Sequence, residues 1–231
     1  MKPTGCMPSF LAGTLASLLI PSLSQAAPDD PQLISFDRQR LTETYYSEGI
    51  AAGDLNGDGS DDIVYGPHWF AGPDFQQRHE IYPAKPQPRE GYADHFFCWV
   101  DDFDRDGRPD VLVVGFPGTP AYVYENPGVA EDPGRPWKKH QVFDWVGNES
   151  PQFVDVVGDG RRELVCTREG MFGFVTIDPA RPFSDWAFHP ISEKMAAERF
   201  GHGLASAIST AMGGRTSCMP AAGSDNPQPT P

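Results

Sequence analysis

An acidic turn set between two short apolar runs occurs three times in this chain, and it limits what the chain can fold into. The copies read GDLNGDGSDDIVYG from Gly53, DDFDRDGRPDVLVVG from Asp101 and VDVVGDGRRELVC from Val154. Aligned on their first acids, Asp54, Asp102 and Asp155, they lie 48 and 53 residues apart. A period of about 50 residues with Gly-rich turns is the spacing of propeller blades. The surroundings repeat as well. IAAG, FFCWV or QFV precedes the acids and DIVYG, DVLVVG or ELVC follows them. An aromatic segment (HWFAGP, AYVYENPG, MFGFVTID) comes third and RHEIY, KKHQVF or WAFHPI fourth. Four short runs separated by Gly, Pro or Asp predict a four-stranded blade. The chain should therefore be all-β, a β-propeller of about three four-stranded blades within residues 27–204. Leu33–Thr44 should form a lone N-terminal strand of the kind that completes the last blade of a closed ring. Composition agrees, since 24 Gly and 24 Pro imply many turns and few long helices.

The acids have the pattern of a cation loop. In D-x-N/D-x-D-G-x-x-D the oxygens at positions 1, 3, 5 and 9 can converge on one ion, position 7 can add its carbonyl, and Gly at 6 allows the sharp reversal. Calcium takes 6 to 8 oxygens in loose geometry and suits such a loop. The first loop offers Asp54, Asn56, Asp58, the Ser60 carbonyl and Asp62; the second offers Asp102, Asp104, Asp106, the Arg108 carbonyl and Asp110. The third offers Asp155, Asp159 and Glu163, but Val157 stands where an oxygen is required. Calcium is expected in the first two, and weakly or not at all in the third. An EF-hand is excluded, because position 12 holds Tyr65, Val113 and Cys166 instead of a bidentate Glu.

Two full loops and a degenerate third in register, with nearby Gly-Pro turns, resemble the FG-GAP or VCBS repeat family, whose fold is the integrin-α-like β-propeller. The resemblance spans about residues 33–204. It implies calcium held between the first and second strands of a blade, a ring of about seven blades, and roles in adhesion or ligand binding. Some sugar-active enzymes, polysaccharide lyases and a sugar dehydratase among them, are similar too. A family of this kind fixes the fold better than the function.

Outside the repeats, residues 1–26 read as a cleaved secretory signal: Lys2 supplies the positive charge, Phe10–Ile20 the apolar run and Ser24-Gln25-Ala26 the small-x-small site. The run is too short for a transmembrane helix of about 20 residues, so no membrane span should remain after cleavage. The protein is expected to be secreted, or placed in the periplasm or at the cell surface. A formal charge of −14 argues against nucleic acid, which needs a basic footprint, and leaves an unknown protein or carbohydrate ligand. Cys98 and Cys166 read as small core residues of strands, with a bridge between them left open.

Counting six residues back from each loop acid gives Glu48, Phe96 and Glu149, with His95 one place away and His202 at the next interval. Glu48, His95, Glu149 and His202 are thus candidates for an axial cluster suited to a metal, a sugar or acid/base chemistry. His79, His140 and His189 recur in the fourth strands, which points to a shared structural role. The tryptophans read as blade packing, with Trp69 a candidate for sugar stacking. After Leu204 the pattern stops, and residues 205–231 are expected to be a disordered tail. With suitable codons, the same segment read one base out of phase would restore a fourth loop starting at position 208, so the expectation includes a frameshifted, truncated propeller. Three function classes stay open: a binding or adhesion module, a carbohydrate-active enzyme with an axial site, and an inert product of a disrupted gene.

Overall fold

The computed structural model of the chain describes residues 35–128, 136–209 and 215–220. The expected signal, residues 1–26, lies outside these, as do residues 221–231 of the tail. Each acidic repeat folds as a four-stranded antiparallel sheet whose strands neighbour one another in chain order. Blade 1 is β1 (Ile50–Gly53), β2 (Asp62–Tyr65), β3 (His68–Phe70) and β4 (Arg78–Glu80). Blade 2 is β5 (Phe97–Asp101), β6 (Asp110–Val114), β7 (Thr119–Glu125) and β8 (Lys138–Val146). Blade 3 is β9 (Gln152–Val154), β10 (Glu163–Arg168), β11 (Met171–Thr176) and β12 (Ala187–Pro190). Among the described residues there is no helix and no closed barrel. The fold is all-β, and its three sheets are blades of an incomplete β-propeller.

Alternation along the strands explains how the blades stack. Successive strand residues point to opposite faces, so a strand buried on both sides must be apolar throughout, and β6 (DVLVV) is buried at every position. Val111 and Val113 face blade 1, in a core with Val64, Trp69, Ile81, Cys98 and Tyr124. Leu112 and Val114 face blade 3, in a core with Val123, Phe153, Leu164 and Cys166. Between blades 1 and 2 the approach is close enough that a Cβ on Gly53 would lie 2.6 Å from Val100 Cγ1. Cys98 and Cys166 are free thiols in different inter-blade cores, so the bridge left open by the sequence does not form. Burial pushes the Cys98 thiol up to about 12 and the Cys166 thiol higher still.

Two sequence expectations need correction. Residues 35–44 contain no strand; a fourth strand needs the third strand of a blade to pair with, and none is present for it among the described residues. The segment after residue 204 is not wholly irregular. Leu204–Ser209 (β13) pairs antiparallel with Arg215–Pro220 (β14). The reason lies in the preceding blade: Leu204 is buried against Val156 and Val165, and the Ser206 N–H donates to Gln152 Oε1 at 2.8 Å. β13 packs beside β9 as β5 packs beside β1.

Candidate metal centre

Strand register sets the loops. Gly53 pairs with Asp62, Asp101 with Asp110 and Val154 with Glu163, so the same stretch of eight residues is closed off in each blade, and the ninth-position acid opens the second strand.

Within each loop the first acid organises the backbone. The Asp54 carboxylate accepts the N–H groups of Gly57, Asp58 and Gly59 at 2.8, 3.0 and 2.9 Å. Asp102 accepts those of Asp106 and Gly107 at 3.1 and 2.9 Å, and Asp155 those of Gly158, Asp159 and Gly160 at 2.6, 3.2 and 2.9 Å. The glycine at position 6 has φ of 88°, 86° and 84° in the three loops, a left-handed conformation in which a side chain costs about 1–2 kcal/mol. The fifth-position acids Asp58, Asp106 and Asp159 accept the N–H of Ser60, Arg108 and Arg161 at 2.8, 2.8 and 2.9 Å.

Asp102, Asp104 and Asp106 each bring an oxygen within 4.8 Å of the others, and so do Asp155, Asp159 and Glu163. In the first loop Asn56 takes the place of the third-position acid, and its side chain bonds Asp58 at 2.9 Å. Asp62 and Asp110 are buried and close the loops: Asp62 accepts Leu55 N–H and Gly72 N–H at 2.8 and 2.9 Å, and Asp110 accepts Phe103 N–H and Asn126 N–H at 3.4 and 2.8 Å. A carboxylate has about four acceptor sites, so these bonds leave lone pairs for an ion. The third loop differs as its sequence suggests, because Val157 turns outward and is 48% exposed. Glu163, one methylene longer than Asp, nonetheless reaches the group of three while accepting the Val156 N–H at 2.9 Å.

Burial, helped by Asp104 and Asp106, pushes the Asp110 carboxyl up to about 8 against the opposing bond from Asn126. Burial also raises Asp62, Asp104 and Glu163. A nearby cation reverses that trend by favouring the ionised form. In the second loop the Arg108 guanidinium is ion-paired with Asp106. An all-oxygen set of carboxylates and carbonyls fits a hard cation such as Ca²⁺, and not a thiolate- or imidazole-seeking metal.

Residues 102–166, from the first acid of the second loop to Cys166 in the strand after the third, match the model of the FG-GAP-like repeat family. The chain carries an FG-GAP-like repeat. No curated protein matches it. The FG-GAP-like match covers the two loops in which three acids converge, and the first blade repeats the same strand order and loop register outside it.

The axial candidates do not assemble into one cluster; among the described residues, the only groups of three or more acids, His or Cys close enough for a metal are the two in the loops. Glu149 and His202 do meet, Oε2 to Nε2 at 3.0 Å. Glu48 accepts the Tyr45 hydroxyl instead, which pushes that phenol up to about 12. His95 turns inward, 3% exposed, with Nδ1 at 3.1 Å from the Tyr82 hydroxyl, and burial lowers its pKa to about 4. What these positions share is backbone: Glu48 N–H donates to His95 C=O at 3.0 Å and Glu149 N–H to Gly201 C=O at 2.9 Å. Trp69 is buried and stacks on His79 at 4.2 Å, so it is not a sugar platform. His140 stacks on Phe183 and His189 on Phe174, giving the three histidines one structural role.

The sequence did not single out Asn126. Its side-chain amide donates to the carbonyls of Leu55 and Pro109 at 2.8 and 2.9 Å, which joins the first loop to the second. The available signal was its place before Pro127, in the aromatic turn where blade 1 has Gly72 before Pro73.

Proposed function

We propose that this chain is a secreted, calcium-binding β-propeller repeat protein that works as an interaction module. The observation that carries the reading is the convergence of the Asp102, Asp104 and Asp106 oxygens within 4.8 Å, in a loop whose backbone is already folded around the first acid. Asp54, Asn56 and Asp58 hold the same loop positions in blade 1, with the backbone likewise folded around the first acid, and the third loop is the weaker site in this reading because Val157 supplies no oxygen. Calcium that binds the folded loops in preference to the unfolded chain stabilises the folded state by an amount that grows with the logarithm of free calcium above the dissociation constant. Its role is structural in this reading: it holds the blade ends in one geometry and leaves the other ends of the strands for a partner. The signal-like residues 1–26 support export, and calcium is abundant in extracellular fluid. The test is thermal unfolding of the mature chain in excess Ca²⁺ and in EDTA. The melting temperature should fall in EDTA and return when calcium is restored; identical melts in both would refute the metal assignment.

A further inference from the structure

Each acidic loop closes in the same way: its ninth-position acid accepts the N–H of the second residue, Leu55 on Asp62, Phe103 on Asp110 and Val156 on Glu163. The second residue of the first loop has a further contact. Leu55 lies between the candidate ligands Asp54 and Asn56, its side chain is buried in the core shared with blade 2, and its carbonyl accepts Asn126 Nδ2 at 2.8 Å.

Asn126 is 3% exposed, and each of its polar atoms is engaged. Besides Leu55, Nδ2 reaches the Pro109 carbonyl at 2.9 Å, Oδ1 accepts the Gly128 N–H at 2.9 Å, and the backbone carbonyl accepts Arg108 Nε at 3.2 Å. Its own N–H donates to Asp110 Oδ1 at 2.8 Å. The closing acids of the two loops are thereby joined by three consecutive hydrogen bonds: Asp62 to Leu55, Leu55 to Asn126, and Asn126 to Asp110. In blade 1 the corresponding N–H, donated to Asp62, comes from Gly72, which has no side chain to reach a neighbouring loop.

We propose that Asn126 couples the first two loops, so that a calcium ion in either one raises the affinity of the other. The inference rests on the calcium reading of the loops and adds their mutual regulation. Without an ion the carboxylates of one loop repel one another, and the loop relaxes by loosening its hold on the ninth-position acid. An ion removes the repulsion and keeps Asp62 on the Leu55 N–H, which fixes the Leu55 carbonyl where Asn126 meets it. Asn126 is ordered once, by whichever ion binds first, and the second ion meets a closing acid that is already aimed. Linkage makes the effect equal in both directions. Through-space electrostatics has the opposite sign: an empty first loop is more negative than a filled one and attracts the second ion more strongly.

The test is a calcium titration of the chain from residue 27 onward, isotope-labelled at glycine and followed by NMR. The Gly59 and Gly107 N–H groups, each bonded to the first acid of its loop at 2.9 Å, report the two loops separately. Asp58→Ala should raise the calcium midpoint of Gly107 about fivefold, the low end for coupled sites, and Asp106→Ala should raise that of Gly59 by the same factor. Combined with Asn126→Ala, both shifts should vanish while the intact loop still binds. Unshifted midpoints with Asn126 in place, a shift in one direction only, or shifts that survive Asn126→Ala overturn the proposal. The reciprocal pair needs no change at Asn126, so the coupling is decided even where Asn126→Ala does not fold. Glycine amides that ignore calcium in every sample refute the metal reading itself; amides that respond independently refute the coupling alone.

Discussion

Asn126 Nδ2 lies 2.8 Å from the Leu55 carbonyl oxygen, a hydrogen bond between residues 71 positions apart that ties the first acidic loop to the second blade. The same nitrogen reaches the Pro109 carbonyl at 2.9 Å, the Asn126 N–H donates to Asp110 at 2.8 Å, and the Gly128 N–H returns to Asn126 Oδ1 at 2.9 Å. One buried side chain thus sets the spacing of two loops.

Asn126→Ala leaves one buried and one partly buried carbonyl without that donor, and an unsatisfied buried group costs about 1–3 kcal/mol. Urea unfolding should show a loss of about 2–3 kcal/mol. A midpoint equal to that of the parent chain would mean that solvent replaces both bonds and that Asn126 is not a clamp.

Acid should weaken the fold through His95. In the unfolded chain its imidazole takes up a proton near the ordinary value of 6.5, while in the fold it does so only near 4, because burial penalises the charged ring. Between those values the unfolded state holds more protons, so the stabilisation is fully present above pH 6.5 and is lost as pH falls toward 4. The loss is at most about 3 kcal/mol. Comparing His95→Gln with the parent at pH 7 and pH 4.5, both in EDTA, isolates this residue from the loop carboxylates. The parent should lose more stability than the variant over that interval; parallel losses would contradict the assignment.

Blade position should grade the cost of core truncation. Leu112 is fully buried between blades 2 and 3, so Leu112→Ala should cost about 2–5 kcal/mol. Ile63 is half-buried, one residue before Val64, which faces blade 2. Ile63→Ala should cost less than about 2 kcal/mol. Equal losses in chemical denaturation would show that the face of blade 1 turned away from blade 2 is as tightly covered as the inter-blade cores.

The blades were legible because two local signals coincided. The short continuous apolar runs in DVLVV and ELVC, bounded by turn residues, are read directly as strands buried on both faces, and the acidic loop marks where the first strand ends and the second begins. The loop-forming acids were legible for the same reason, since position within nine residues decides which oxygens can converge. His95 was not, because six or seven residues back from an acid differ by one place, and one place in a strand entry reverses the direction of a side chain. The inward turn of His95 toward Tyr82 and the packing of Phe116 between Phe96 and Phe200 depend on how separate connections meet in space. Position alone leaves Trp69 open as a platform, because its burial depends on the core it shares with Val111 and Val113 of blade 2. Asn126 escaped because a long-range side-chain bond leaves no periodic trace.

Calorimetric titration of the EDTA-stripped chain from residue 27 onward with Ca²⁺ tests the account most directly, run on the parent and on Asp58→Ala and Asp106→Ala. The account predicts binding at two or more sites in the parent, loss of one site in each variant, and a melting temperature that rises with calcium in the parent by more than in either variant. No binding heat, together with melts that calcium does not move, would contradict it.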